Sequence, residues 1–251
     1  MSKNSVILPK REYKIPEKIK LQCPICKYGV LEIKKNDERS DDSDKDNEKH
    51  RNSVFYDYLH SVEYNRDNEE RLFGLYGVLE CKNPDCQEKI VFAGKSEIEV
   101  NYSGDREDNI TETYDDIYEI EYIERPPHLI EINDNIPQNI KEALLESFKL
   151  YWIDLNSCAN KIRVCLERII DSCFTDTEIP PGALEGRIMG FLGKTPELKS
   201  VFEDAKWVGN STCHTEKITE EDICNGYEML KCVLEEFFRY GYKNKSIFKA
   251  E

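Results

Sequence analysis

The 251-residue sequence predicts an α+β protein: an N-terminal antiparallel β domain, then an all-α bundle of four to five helices. Three observations predict it. SEIEVNY (96–102) and DDIYEIEYIE (115–124) alternate apolar and acidic residues at period two, the pattern of half-buried antiparallel strands. From residue 138 onward the apolar spacing becomes helical. Between the two regimes, Arg125-Pro126-Pro127 and Ile136-Pro137 interrupt any regular element.

Taken in order, residues 1–19 read as a basic arm with little structure. KLQCPICKYGVLEIKK (20–35) reads as a cysteine-bearing turn followed by a strand. Residues 36–52 contain no apolar side chain and read as a disordered insert. VFYDYLH (54–60) suits a short strand or a short helix. LFGLYGVLE (72–80) forms a strand leading into CKNPDC, and KIVFA (89–93) forms another that ends at Gly94. Residues 20–127 therefore make one β domain and residues 136–245 the bundle.

In the bundle, NIKEALLESFKLYWI (139–153) fits one helix. Leu155, Cys158, Ala159, Ile162, Cys165, Leu166, Ile169 and Cys173 make the apolar face of a second. After Pro180-Pro181-Gly182, helices are expected at 183–192 and 196–207. The last helix is the best marked: Thr219 as N-cap, Asp222 three residues on, Ile218 in the staple position, and an end near Gly241.

The ten cysteines divide by spacing. Cys23-Pro-Ile-Cys26 and Cys81-Lys-Asn-Pro-Asp-Cys86 are two tight pairs separated by 54 residues. A pair of thiolates on one turn is half of a tetrahedral site, and two such turns flanked by strands have the layout of a zinc ribbon. The expected cofactor is one structural Zn²⁺ held by Cys23, Cys26, Cys81 and Cys86. The other six, mostly on helix faces, read as core packing. A secreted disulfide framework does not fit a chain of this length whose short apolar run at Val6–Leu8 is no signal peptide. No stretch reaches the roughly 18–20 apolar residues of a membrane span. The expected location is the cytoplasm.

The chain carries 35 Lys and Arg against 50 Asp and Glu, a net charge of −15. That balance argues against passive, charge-driven binding to duplex nucleic acid. Within residues 97–125 there are 11 acidic and 2 basic side chains, so one sheet face is strongly acidic. It reads as a solvent face or as the surface for a basic protein partner. No P-loop, Rossmann loop or G-x-S-x-G elbow is present.

Of the four histidines, His50 lies in the polar insert, His60 beside an aromatic run, and His128 after the double proline. His214 stands in KWVGNSTCHTEK. It is placed to act as general acid or base. Lys206 or Arg163 would neutralise a phosphate, and Asn210 would orient the imidazole. The alternative is that Asn210 and His214 cap helix ends and join a buried polar network.

IPQNIKEALLESFKLY, SCANKIRVCLERII, ALEGRIMGFL and KWVGNSTCHTEKITEEDICNGYEMLKCVLEEFF resemble the domain-of-unknown-function family 4145. Arg163, Glu167, Gly209, Asn210 and His214 are the most specific parts. The resemblance covers roughly residues 20–240, since members often carry a zinc-ribbon-like segment ahead of the helices. It implies a bundle similar to the HEPN superfamily, many of whose members are metal-independent ribonucleases acting as dimers. They pool an Arg separated from a His by four to six residues. Here Lys206 stands in place of the Arg, and seven residues separate it from His214. Lys offers a point charge where Arg offers a fork. Two functions follow. One is an accessory or adaptor protein of a prokaryotic defence or restriction system, binding nucleic acid, a nucleotide or a protein partner. The other is a HEPN-like endoribonuclease with His214 as its acid and base. A homodimer through the bundle is implied by the resemblance alone.

Overall fold

A computed structural model describes residues 6–14, 19–33, 60–64, 72–103, 111–173, 186, 190 and 217–243. The chain divides into two compact units, Pro9–Pro127 and Met1–Leu8 with His128–Glu251. The mixed α+β class is as the sequence predicts.

The first unit is a seven-stranded antiparallel sheet: β1 (Glu12–Lys14), β2 (Leu21–Gln22), β3 (Val30–Ile33), β4 (His60–Tyr64), β5 (Leu72–Cys81), β6 (Lys89–Ser103) and β7 (Thr111–Ile123). The order is β1-β7-β6-β5-β3-β2, with β4 also on β5. β3 pairs with the C-terminal end of β5 and β4 with its N-terminal end, so β5 is the spine. Leu31, Leu79, Ile90, Phe92, Ile120 and Ile123 bury one face, each worth about 1.5–3 kcal/mol of apolar transfer.

Two expectations are corrected here. Glu12–Lys14, expected in an unstructured arm, pair with β7, and Tyr13 stacks on Tyr118 with ring centroids 5.2 Å apart. Gly94, expected to end a strand, lies inside the 15-residue β6. It marks a bulge, where the β6–β7 register shifts between Ala93 and Gly94. A Cβ on Gly94 would collide with the Glu119 carbonyl oxygen, so only glycine lets the strands close there. The shift resets the phase of β7. Tyr118 and Ile120 face inward, Glu121 and Tyr122 are consecutive exposed residues, and Ile123 faces inward again. Strict alternation could not bury both Ile120 and Ile123.

In the second unit the described residues form three helices: α1 (Gln138–Ile153), α2 (Leu155–Cys173) and α3 (Glu220–Lys243). Four to five were expected; the segments 183–192 and 196–207 lie largely outside the described residues, as does the insert 36–52. Asp154 joins α1 to α2 by itself. Its N–H donates to Leu150 at the end of α1, while its carboxylate accepts the Ser157 N–H at 2.8 Å at the start of α2. α3 opens with a reciprocal cap. The Asp222 N–H donates to Thr219 Oγ1 (3.2 Å), and the Thr219 N–H donates to Asp222 Oδ2 (2.9 Å). Ile218 and Ile223, the staple positions, are both buried. α3 runs through Gly241, two residues beyond the expected end.

The helices meet around Phe148, Tyr151, Trp152, Cys158, Ile162, Cys165, Tyr227 and Leu230, all fully buried. Inside this core the Tyr227 hydroxyl donates to Ser147 Oγ (3.0 Å), which donates to the Leu144 carbonyl (2.7 Å). Cys158 Sγ reaches the Ser147 carbonyl at 3.3 Å and thus closes the network. A buried hydroxyl is tolerable only with partners of this kind.

Two stability outcomes are expected. Gly94→Ala destabilises the sheet unit by about 1–3 kcal/mol, because a side chain must be forced against backbone. Thr219→Ala costs about 1 kcal/mol through the lost cap. Chemical denaturation followed by circular dichroism reads both.

Candidate metal centre

The four cysteines of the two knuckles come together. Their sulfurs all lie within 4.8 Å of one another, with Cys23 and Cys81 buried and Cys26 and Cys86 half-buried. Across the knuckles, Cys23 Sγ is 3.8 Å from Cys86 Sγ and Cys26 Sγ is 3.7 Å from Cys81 Sγ. A tetrahedron with metal–sulfur bonds of about 2.3 Å has edges of about 3.8 Å. The donor set fits a metal ion without rearrangement of these pairs.

The two turns are built alike. Cys23-Pro-Ile-Cys26 and Asn83-Pro-Asp-Cys86 share an X-Pro-X-Cys frame. In each, the residue after the second cysteine sits in the left-handed region, Lys27 at φ 62° and Gln87 at φ 49°. In each, that residue's N–H donates to the carbonyl four positions back, Lys27 to Cys23 (3.0 Å) and Gln87 to Asn83 (3.1 Å). Asn83 therefore stands in the second turn where Cys23 stands in the first. The second turn gains its other thiol from the last residue of β5, Cys81, rather than from the turn itself. That explains four intervening residues in one pair and two in the other. Both loops are closed at the base, by the Cys23 N–H to Gly29 and the Cys81 N–H to Glu88, each 2.8 Å.

The sulfurs differ electrostatically. Burial pushes the Cys81 thiol up to about 12 and also raises that of Cys23. Cys26 is drawn down to about 6, chiefly by the Tyr28 backbone N–H, with help from the Gly29 N–H (3.2 Å from the sulfur) and the Asn83 side chain. Without a cation, two buried thiols keep their protons. A bound cation must displace them, which ties binding to pH.

Gly29 and Asn83 belong to this centre, and sequence reasoning missed both. A Cβ on Gly29 would meet Cys81 Sγ and would lie 2.9 Å from Asn83 Cβ and 3.2 Å from Cys26 Sγ. The signal was a glycine three residues after the second cysteine of a knuckle, where the other hairpin must approach closely.

Of the remaining catalytic candidates, Arg163 alone lies among the described residues. Arg163, on α2, lies 3.8 Å from Glu167 one turn along in a partly exposed pair. His214, Asn210 and Lys206 lie outside the described residues, as do His50, Gly209 and Cys213. His128 packs its ring 5.6 Å from Phe148, and His60 begins β4. Of the other cysteines, Cys158 and Cys165 are fully buried, and burial pushes Cys165 up to about 12, so it is an inert core thiol. Cys224 and Cys232 are half-buried on α3. No helix among the described residues is long and apolar enough to cross a membrane.

Comparison with known families divides the chain in two. Residues 11–123 match the family described as Domain of unknown function (DUF8608), and residues 145–250 match Domain of unknown function (DUF4145). The resemblance to the second family, expected over residues 20–240, is thus shown for the helical part, and the sheet unit matches a separate family. No curated protein and no solved structure matches the chain.

Gly29→Ala should abolish metal retention while leaving all four thiols in place, and Cys81→Ser should lower both metal content and solubility. Elemental analysis of purified protein against a thiol titration checks this. Because protons on Cys23 and Cys81 compete with the metal, apparent affinity should rise with pH and fall on acidification, as measured by competition with a chromophoric chelator.

Proposed function

We propose that the chain is an accessory or adaptor protein: a zinc-stapled, ribbon-like recognition module joined to a HEPN-like helical unit, serving a prokaryotic defence or restriction system. The observation that carries the first half is the four-sulfur cluster. Four thiolates complete a tetrahedral shell and leave no position for water or substrate. Such a zinc shapes a surface, and the sheet it anchors is the part that meets a partner. When bound, Zn²⁺ supplies positive charge that offsets the buried thiolates of Cys23 and Cys81. One ion per chain is the stoichiometry this arrangement takes.

The defence setting is what the resemblance of the helical part to family 4145, and through that family to HEPN bundles, implies. In this reading the segments 183–192 and 196–207 complete a bundle of four to five helices, which pairs with a second copy in the cytoplasm. Two observations favour an adaptor over a nuclease. Arg163, the described member of the catalytic candidates, faces Glu167. Lys206 replaces the fork-forming Arg, at a spacing longer than the motif. His214 and Asn210 then serve the packing of the helices or hold a nucleotide.

The test is RNA cleavage by metal-loaded wild type and by His214→Ala, both confirmed folded, with total RNA and no added divalent ion. Intact RNA with both proteins is the expected result. Cleavage by wild type that disappears in His214→Ala would replace this reading with the ribonuclease one.

A further inference from the structure

The sheet has a second face, turned away from its core. On β5 the buried Leu75, Gly77 and Leu79 alternate with Tyr76 and Val78. On β6 the buried Ile90 and Phe92 alternate with Val91 and Ala93, and on β7 Tyr122 precedes the buried Ile123. Val78 pairs with Val91. Tyr76 pairs with Ala93, which pairs in turn with Tyr122. Tyr76, Ala93 and Tyr122 therefore stand in one row across β5, β6 and β7. Neighbouring strands lie about 4.8 Å apart, so the two tyrosines leave the backbone about 10 Å apart, with only the methyl of Ala93 in line between them. Tyr76 is 47% exposed, Tyr122 45% and Val91 46%. Two phenol rings thus rim a shallow slot with Ala93 as its floor, and Val78 and Val91 close one end.

The bulge selects the second ring. In the register that joins Gly94 to Ile120, Ala93 would face Glu121; the shift between Ala93 and Gly94 gives it Tyr122 instead.

The surroundings of the slot are acidic. On one side Lys95 pairs with Glu119 and also reaches Glu121 at 3.1 Å, so its charge is committed to two carboxylates. On the other side the Glu124 N–H donates to the Val91 carbonyl at 3.0 Å, and Glu80 pairs with Lys89. Glu80, Glu119, Glu121 and Glu124 outnumber Lys89 and Lys95. A polyanion is repelled by that balance, and a second copy would lay the same acidic rim on itself. The patch is also far smaller than the roughly 800 Å² per partner that a stable dimer takes, and suits a single anchoring side chain. Ring faces attract positive charge, and carboxylates beside them reinforce it. Among side-chain cations, the planar guanidinium is the one that stacks on aromatic rings.

Resting on the adaptor reading, we propose that Tyr76, Ala93 and Tyr122 form a binding slot for an arginine side chain of a protein partner. The guanidinium lies over Ala93 between the two rings, its aliphatic stem packs on Val78 and Val91, and Glu121 and Glu124 supply the countercharge.

The full-length, metal-loaded protein tests this by fluorescence anisotropy with two labelled glycine-serine peptides, one carrying arginines and the other citrulline, the uncharged isostere, at the same positions. The arginine peptide is expected to bind and the citrulline peptide to fail. Tyr122→Leu keeps an apolar side chain but removes the ring, and should weaken binding about fivefold or more at unchanged metal content, whereas Tyr122→Phe should stay within about twofold of wild type. Should Tyr122→Leu misfold, Tyr76→Leu against Tyr76→Phe carries the same expectation. No binding of the arginine peptide, equal binding of the citrulline peptide, or equal affinities of the folded Leu and Phe variants overturns the proposal. So does a wild-type dimer that Tyr122→Leu makes monomeric, which would give this face to a second copy. RNA cleavage is read separately, so the adaptor reading and the arginine slot fail by different results.

Discussion

Convergence of four sulfurs is the constraint on which the sheet unit depends. β2 and β3 are short, two and four residues, and cannot by themselves hold a register against β5. The thiols of Cys23 and Cys26 meet those of Cys81 and Cys86 where Leu31 pairs with Cys81, so the ligands and the strand register are set by the same contact. The four sulfurs could hold a metal ion, whose charge would offset the thiolates of Cys81 and Cys23 that burial otherwise disfavours. A metal ion held there would couple its binding to formation of the sheet.

From that corner the rest of the unit follows along β5 and β6. The long β6 carries pairing from the knuckle to Ser103, and the bulge at Gly94 turns the phase of β7 so that Ile120 and Ile123 both reach the core. The bulge also sets charge. Lys95 lies 3.0 Å from Glu119 and 3.1 Å from Glu121, while Arg11 takes the other oxygen of Glu119. Two of the five carboxylates of β7, Glu119 and Glu121, are therefore answered by cations toward its C-terminal end. These are part-exposed pairs, worth little individually. Their effect is to leave the described charge balance uneven along one strand.

Much of this was legible in the residues. The two knuckles named their own ligands, because cysteine pairs at turn spacing have few other uses. The helix faces and the Thr219–Asp222 cap were equally plain, since local pattern and tertiary contact agree there. What escaped reading was what tertiary structure imposes on a locally neutral signal. Gly94 looks like a strand end unless the Glu119 carbonyl is known to press against it. Gly29 looks like a turn residue unless Cys81 is known to lie above it. Glu12–Lys14 has no strand signature of its own and becomes one by adding to β7. Cys81 reads as part of a turn, yet it closes a strand. His214, Asn210 and Lys206 were singled out by their residue types in one short segment and then by resemblance to a motif, and the described geometry bears only on Arg163.

The junction at Asp154 carries a different kind of consequence. One residue terminates α1 with its amide and starts α2 with its carboxylate, so no slack exists between the helices. Inserting or deleting a residue there would turn the face of α2 by about 100°. Cys158, Ile162 and Cys165 would leave the interior together, and the hydroxyl of Tyr227 would lose its neighbours. Length at this point is therefore quantised in a way that substitution is not. Changes of side chain around the bend are tolerable one at a time, whereas a frame-preserving insertion of a single codon is an all-or-none event for the helical unit.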